Sequence, residues 1–202
     1  MLFRSRRRGV SRAFGTGALA GRRVVVQGAG NVGAALLGML RDAGAEASFS
    51  DTDPDRARAL RTGGFREIPC DDVWDASCDL LAPCALGGVL SSRTIPRLRC
   101  RAIAGAANNQ LEHPDDATRL SERGILWAPD VAASAGGAVY VTGMEGLGWT
   151  DEVARQAVRR IGETVGLVLD RAAREGESAL EAAEAIARER IALGPVAMLR
   201  GR

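Results

Sequence analysis

The stretch VVVQGAGNVGAALLGML, residues 24–40, decides the fold class. A short run of valines meets a glycine-rich turn, and a segment of small and apolar residues follows it. Gly28, Gly30 and Gly33 fit the pattern G-x-G-x-x-G. In a dinucleotide-binding βαβ unit, these glycines permit a tight turn, a close backbone approach to a pyrophosphate, and close helix–strand packing. Because a strand precedes the turn and a helix follows it, the sequence predicts a dinucleotide site here.

The expected phosphate site is the N-terminus of the helix after the turn, because its N–H groups and its dipole favour negative charge. The predicted pyrophosphate-binding residues are Gly28, Ala29, Gly30, Asn31, Val32, Gly33 and Ala34. A glycine turn with a purely structural role is the alternative interpretation.

Asp51 follows the next predicted strand, eighteen residues after the third glycine. A carboxylate at this place accepts hydrogen bonds from the ribose hydroxyls of adenosine and repels a 2′-phosphate. Like charges 4 Å apart repel by about 1 kcal/mol in water and by about 4 kcal/mol at a partly shielded surface. Asp53 and Asp55 add negative charge, and Arg56 is the nearest basic residue. We therefore expect Asp51, with Thr52, to select NAD over NADP; a solvated acidic turn is the alternative.

Strand-like and helix-like segments alternate along the chain. Short buried strands are predicted at residues 22–27, 47–50, 79–82, 101–104 and 125–128. Helices are predicted at residues 31–43, 54–61 and 114–123. This alternation predicts an α/β fold with a doubly wound, Rossmann-type parallel sheet and a dinucleotide-binding domain at residues 21–148.

The pattern changes in the C-terminal part, which is predicted to form long helices that pack on the domain. Apolar residues at a spacing of three or four predict one amphipathic helix over residues 151–175, with Thr150 as its N-cap and Gly176 at its end. The sequence from Ser178 to Glu181 fits a capping box, and the helix after it is predicted to reach about residue 190. Gly194 and Pro195 then break the chain. The C-terminal helices are assigned to residues 149–202.

The first twenty residues stand apart from this pattern. They contain the basic cluster LFRSRRR. We interpret residues 1–20 as the remnant of a preceding helix or as a non-native leader. A basic arm for an anionic surface is the alternative.

The composition excludes several classes of function. The net charge of +2 argues against nucleic acid as a partner, and no apolar run is long enough to span a membrane. Four cysteines without a C-x-x-C pair and a single histidine argue against a metal site. We expect a cytoplasmic protein with buried, reduced cysteines. All 27 basic residues are arginine, so a mechanism that needs a lysine amine cannot run on this chain alone.

Three later stretches carry a resemblance to a known family. They are DLLAPCALGGVL (79–90), AIAGAANNQL (102–111) and GILWAPDVAASAGGAVYV (124–141). Together with the glycine turn and FSDTD, they resemble the C-terminal, NAD-binding half of the Glu/Leu/Phe/Val dehydrogenase family, and within it the leucine dehydrogenases. The resemblance extends from about residue 12 to residue 190. It implies oxidative deamination of an L-amino acid to a 2-oxo acid and ammonia, with hydride transfer to a nicotinamide.

The resemblance also implies roles for residues outside the glycine turn. Cys84, Ala85 and Leu86 would line the next strand-end turn, against the adenosine and its ribose. Ala106 and Asn109 would reach the nicotinamide half, with Asn109 bonded to the carboxamide. A merely local turn-bonding role for this asparagine is the alternative.

The implied substrate pocket shows one departure from the family. Ser134 stands where the family has the asparagine of N-A-G-G, which helps to hold the nicotinamide or the substrate. The shorter serine would reach the same partner only through water. Ala138 and Val141 would suit an aliphatic side chain, which favours leucine, isoleucine or valine as substrate.

The family's catalytic lysines and aspartate belong to an N-terminal domain. This chain has about twenty residues before its first predicted strand, so we assign it no catalytic residue. We interpret it as the NAD-binding domain of a branched-chain amino-acid dehydrogenase, which would bind the L-amino acid or 2-oxo acid only with the missing domain. An exposed cleft wall would favour homo-oligomers. A non-catalytic NAD-sensing module and one chain of a split dehydrogenase are the alternatives.

Overall fold

The computed structural model describes residues 18–192, in which six parallel strands form one sheet. The strands are β1 Arg23–Gln27, β2 Glu46–Ser50, β3 Arg66–Glu67, β4 Leu80–Pro83, β5 Ala102–Ile103 and β6 Leu126–Trp127. Their order is β3-β2-β1-β4-β5-β6, and every neighbouring pair is parallel. This is the strand order of dinucleotide-binding folds, so the predicted fold class is confirmed.

Residues 18–192 also form eight α-helices. They are α1 Asn31–Asp42, α2 Pro54–Thr62, α3 Asp116–Glu122, α4 Asp130–Ala133, α5 Gly136–Val141, α6 Asp151–Arg159, α7 Ile161–Glu175 and α8 Ala179–Ala192. A single 3₁₀ turn at Ile95–Arg97 and a π-helical turn at Thr142–Gly146 complete the helical segments. The basic cluster LFRSRRR, in the segment interpreted as a helix remnant or leader, lies outside the described residues. The break predicted at residues 194–195 lies outside them too.

The central strand shows why the sheet is covered on both faces. Successive side chains of a strand point to opposite faces, and Val24, Val25 and Val26 are all buried. Val24 and Val26 pack with Leu37 of α1 and with Phe49 of β2. Val25 belongs to a second core on the opposite face. Three successive buried valines therefore require a layer on each side of the strand, as parallel sheets have.

The C-terminal helices pack beyond β6. Val158 of α6 and Ile161, Val165 and Leu169 of α7 form one cluster with Ala128, the residue after β6. Helix α8 then packs along α7. The predicted boundary between a nucleotide-binding domain and these helices stays a prediction.

The predicted helix over residues 151–175 is wrong in one respect, because the chain breaks it at Arg160. The N–H of Arg160 donates to the carbonyl oxygens of both Gln156 and Ala157, which closes α6 before α7 begins. Helix α6 buries Ala154 and Val158, and the buried row continues into α7. Apolar spacing could not reveal the break because the buried face runs through it.

The predicted helix ends are confirmed. The Thr150 side chain accepts a hydrogen bond from the N–H of Val153, as an N-cap does. Ser178 and Glu181 bond each other's backbone N–H groups, which completes the capping box. Gly176 ends α7 in the left-handed conformation, with φ +71°.

The prediction of buried cysteines holds for only part of the set. Cys78 and Cys100 are buried, and a hydrogen bond to Cys100 together with burial raises the pKa of the Cys78 thiol. Cys84 is half-buried, and Cys70 is exposed. The expectation is therefore wrong for Cys70, because the irregular segment after β3 leaves it on the surface of a cleft.

Two features of residues 18–192 bear on broad classes of function. None of the helices there has the length and apolar character that crossing a bilayer requires. That range also contains no cluster of three or more histidine, cysteine, aspartate or glutamate side chains placed to bind a metal ion.

Burial makes Leu37 a test of the core. We expect Leu37→Ala to lower the free energy of unfolding by about 2–5 kcal/mol, because Leu37 is fully buried and its loss leaves a cavity. The matched control is Leu167→Ala in α7, whose residue is 51% exposed, for which we expect a loss below about 1 kcal/mol. Chemical denaturation measures both. Equal losses for the two variants would contradict the described core.

Candidate functional site

A cleft of about 460 Å³ opens at the carboxyl ends of β1, β2 and β4. Its volume lies in the usual range of small-molecule sites. The strand order reverses between β1 and β4, and ligands of open α/β sheets bind at such a point. The lining residues are Gln27, Gly28, Gly30, Ser50, Asp51, Thr52, Arg56, Cys70, Val73, Trp74, Cys84, Ala85 and Leu86.

The glycine turn depends on two close backbone approaches. A Cβ on Gly33 would lie 2.0 Å from the carbonyl oxygen of Gly28, so only glycine lets the first turn of α1 pack against the end of β1. Gly28 itself has φ +87°, and a Cβ there would lie 2.4 Å from the Cβ of Ala85. The turn after β4 therefore presses directly on the turn after β1.

The N–H groups at the start of α1 are arranged to receive an anion. Gly30 is the N-cap and supplies no side-chain hydrogen bond, so residues 31–33 have no acceptor within the helix. The N–H of Ala34 donates to the carbonyl oxygen of Gly30 at 2.8 Å, and the N–H of Ala29 donates to Asp51 at 2.6 Å. The N–H of Gly28 also donates, to the carbonyl oxygen of Ser50 at 2.8 Å, so three of the seven residues predicted for a pyrophosphate have their N–H groups engaged within the protein.

Asp51 is held rigidly beside this turn. Its Oδ2 accepts the N–H of Ala29, and its Oδ1 accepts the N–H of Asp53 at 2.8 Å. The side chain is only 6% exposed. Two backbone hydrogen bonds to a charged acceptor fix the carboxylate where β2 ends, at the rim of the cleft.

One arginine lies among the acidic groups of the cleft. The Arg56 guanidinium is 3.5 Å from Asp51 Oδ1 and 3.2 Å from Asp53 Oδ2. The Arg56 N–H donates to Asp53 and is the largest cause that keeps the pKa of this carboxyl below its usual value; the N–H of Asp55 adds to it. Two carboxylates against one guanidinium leave the rim negative.

The turn after β4 forms the opposite wall. The N–H of Cys84 donates to the carbonyl oxygen of Gln27 at 2.6 Å, which joins the ends of β1 and β4. Ala85 and Leu86 line the cleft, and the Leu86 side chain is 82% exposed. The three residues expected near the adenosine therefore share one cleft with Asp51.

The turn after β5 continues this wall along the sheet edge. The N–H of Ala106 donates to the carbonyl oxygen of Pro83 at 2.9 Å. The carbonyl oxygen of Asn109 accepts the N–H of Gly88 at 2.7 Å, and the N–H of Asn109 donates to Asp130 Oδ2 at 2.7 Å. Local turn bonding thus uses the backbone of Asn109, and its exposed side chain stays outside these bonds.

Ser134 lies against the same turn. Its Oγ is 2.8 Å from Asn108 Oδ1 and 2.7 Å from the carbonyl oxygen of Asp130. A hydroxyl has one hydrogen and cannot donate to both oxygens. The pair is satisfied when Ser134 donates to the carbonyl and the Asn108 amide turns its nitrogen to Ser134.

The two residues expected to contact a substrate side chain lie outside the 460 Å³ cleft. Ala138 and Val141 are exposed on α5, three positions apart and so on one side of the helix. Tyr140 anchors this helix because its hydroxyl donates to Asp151 at the start of α6 at 2.5 Å. That bond is the main reason that the pKa of Tyr140 lies above its ordinary value.

Sequence reasoning missed part of the lining. Gln27 and Ser50 are the last residues of β1 and β2, and the rule that strand ends line the site could have found them. Gln27 Oε1 is buried and has no hydrogen-bond partner within the described part of the chain. Val73 and Trp74 follow the two-residue strand β3 in an irregular segment, and no local pattern places them.

Comparison with known proteins agrees with this geometry. The family described as Glutamate/Leucine/Phenylalanine/Valine dehydrogenase matches residues 49–196. The chain belongs to this family. Leucine dehydrogenase of Thermoactinomyces intermedius is 37% identical over 191 residues, which are 94% of this chain and 52% of that protein. L-tryptophan dehydrogenase of Nostoc punctiforme is 39% identical over 175 residues, or 86% of this chain and 49% of the relative.

Solved structures of the family have the same fold. The crystal structure of L-tryptophan dehydrogenase from Nostoc punctiforme matches with a TM-score of 0.89 and 36% identity, covering 94% of this chain and 57% of the other. Hetero-hexameric glutamate dehydrogenase from Thermus thermophilus matches with a TM-score of 0.72 and 25% identity, covering 94% and 50%. The chain therefore spans about half the length of the dehydrogenases that it matches.

The close approach at Gly33 gives a testable prediction. We expect Gly33→Ala to destabilise the chain by at least about 2 kcal/mol, because the new Cβ meets a backbone oxygen that cannot move away. Gly38→Ala in the same helix is the matched control, since no described atom lies within 4 Å of the added Cβ. The control should gain about 0.5–1 kcal/mol from helix propensity. Chemical denaturation measures both, and a neutral Gly33→Ala would show that α1 does not pack as described.

Proposed function

We propose that this chain is the coenzyme-binding half of an NAD-dependent amino-acid dehydrogenase. The observation that carries the proposal is the Asp51 carboxylate, fixed by the N–H of Ala29 beside the unsatisfied first turn of α1. A dinucleotide needs both groups, an anion site for its pyrophosphate and an acceptor for its ribose hydroxyls. The residues of the cleft fit both requirements.

The preference for NAD over NADP rests on the charges at the rim. Asp51 and Asp53 would face a 2′-phosphate, and Arg56 is already paired with both carboxylates. A repulsion of about 1–4 kcal/mol corresponds to at least several-fold weaker binding of the phosphorylated coenzyme.

The nicotinamide half would extend along the sheet edge toward the turn after β5. Asn109 is the proposed partner of the carboxamide, because its side chain is exposed while its backbone is fixed. Ala106 lies at the start of the same turn and offers no bulk against the ring. When bound, the nicotinamide supplies the hydride-accepting ring of the reaction.

The proposed substrate is a branched-chain L-amino acid, deaminated reversibly to its 2-oxo acid. Relatives named for leucine and for tryptophan both match the chain, so the side-chain preference rests on Ala138 and Val141. Both residues are small or aliphatic and exposed on α5. The family resemblance implies catalytic lysines and the sequence contains none, so we propose that another domain supplies the groups that transfer protons to and from the amine.

Exposed apolar side chains near α4 and α5 support the need for a partner domain or subunit. Val131 is 63% exposed and Leu147 is 60% exposed, and Val141 is half exposed between them in sequence. Large exposed apolar groups that cluster are typical of interaction surfaces. We propose that the surface formed by these side chains contacts another domain or subunit of the enzyme, which assembles as a homo-oligomer.

A direct titration of the 202-residue chain tests the proposal. We expect calorimetry to show NADH binding at one site, about tenfold more tightly than NADPH, because the rim carboxylates repel the 2′-phosphate. With NAD and leucine the chain alone should show no NADH formation. Absence of binding by both coenzymes would overturn the proposal.

Asp51→Asn isolates the charge in this titration. The amide keeps the size of the side chain and removes its charge. We therefore expect the ratio of NADH affinity to NADPH affinity to fall about tenfold relative to the parent chain. Asp55→Asn is the matched control, because Asp55 lies on α2 with an 81% exposed side chain paired to Arg58. An unchanged NADH-to-NADPH ratio in Asp51→Asn would remove Asp51 from coenzyme selection.

A further inference from the structure

One residue at the sheet edge has an unusual backbone conformation. Asn109, with φ +51°, is the only non-glycine residue of the described range 18–192 with a positive φ. The left-handed region costs free energy for any residue with a Cβ, and asparagine bears it best. Such conformations persist where neighbouring groups hold them, and they cluster at functional sites.

A buried carboxylate holds this residue from the next loop. Asp130 begins α4, twenty-one positions along the chain, and its Oδ2 accepts the N–H of Asn109 at 2.7 Å. The residue is only 8% exposed. Burying a carboxylate is expensive unless hydrogen bonds compensate it. The hydrogen bond from the Asn109 N–H to this charged acceptor is therefore strong, and it offsets part of the cost of burying the carboxylate.

Ser134, four residues after Asp130, also contacts the neighbouring asparagine, Asn108. Ser134 lies 2.8 Å from the Asn108 amide and 2.7 Å from the carbonyl oxygen of Asp130. The turn after β5 is thus joined to the segment after β6 by four residues: Asn108, Asn109, Asp130 and Ser134. Asp130 is buried and its carboxylate is bonded to the turn after β5, so we expect it to act on the coenzyme through the turn that it holds.

We propose that Asp130 is a positioning residue for the nicotinamide half of the coenzyme. Its carboxylate fixes the backbone of Asn109 in the left-handed conformation, which leaves the exposed Asn109 side chain outside the turn's backbone bonds and available to the carboxamide. The inference rests on the proposed coenzyme function and adds to it a residue that does not touch the ligand.

Two ligands separate positioning from a general loss of structure. NADH carries the nicotinamide, whereas ADP-ribose lacks it and keeps the adenosine and pyrophosphate that the cleft beside Asp51 would bind. We expect Asp130→Ala to weaken NADH binding by about tenfold, the cost of one hydrogen bond to a charged group, and to leave ADP-ribose within about twofold. Asp130→Asn should recover most of the loss, because its amide oxygen can accept the same N–H.

The matched control is another buried aspartate. Asp116 is fully buried, and its carboxylate also accepts a backbone N–H, that of His113 at 2.9 Å, together with a bond from Arg119. Asp116→Asn should lower stability and leave the ratio of NADH to ADP-ribose affinity unchanged. Equal weakening of both ligands by Asp130→Ala, or no weakening of either, would overturn the proposal.

A double-mutant cycle tests the route through Asn109. Glycine adopts a positive φ without strain, so in an Asn109→Gly background the turn no longer needs the carboxylate. We expect Asp130→Ala to change NADH affinity there by less than about twofold. A loss that stays near tenfold would show that Asp130 acts by another route. If the parent chain binds neither ligand, the proposed function fails and this inference fails with it; if the parent binds both, the variants decide the inference alone.

Discussion

The contact between the carbonyl oxygen of Gly28 and the backbone at Gly33 governs the arrangement of the site. A side-chain carbon at residue 33 would lie 2.0 Å from that oxygen, so the start of α1 can approach β1 only without one. This approach places the unsatisfied N–H groups of the first helical turn at the end of the central strand. It also lets the N–H of Ala29 reach Asp51 at the end of β2. One backbone contact therefore brings together the first turn of α1 and the Asp51 carboxylate, the two groups that we propose bind the pyrophosphate and the ribose.

The other turns at this edge are joined in series. The turn after β4 bonds to Gln27, the turn after β5 bonds to Pro83 and Gly88, and Asp130 after β6 holds Asn109. A larger concavity of about 600 Å³ lies near the amino ends of β1 and β2, and it is closed by β3 and the segment that follows β3. The amino edge of the sheet lacks the features that favour a dinucleotide, because the helices that follow parallel strands begin at the carboxyl edge. Strand direction, rather than cavity size, is the reason that we propose the smaller cleft as the coenzyme site.

Local sequence predicted the parts of the fold whose signal is local. The valines of β1, the glycine turn and the cap residues Thr150 and Ser178 have patterns that neighbouring residues complete. The sequence did not predict strand β3, because both of its residues, Arg66 and Glu67, are charged, whereas the equally short β5 and β6 are apolar. The break at Arg160 was missed because the buried face continues through it. The Asp130 bond joins residues twenty-one positions apart, and only the sheet order brings their loops together.

The central claim is that a dinucleotide binds across the glycine turn, and amide chemical shifts of the ¹⁵N-labelled chain test it most directly. On titration with NADH, the account predicts that the largest shifts fall on residues 28–34 and 51–52, with smaller ones along the turns after β4 and β5. Shifts concentrated instead on residues 46–48 and 66–69, which line the larger concavity, or no shifts at saturating NADH, would contradict the account.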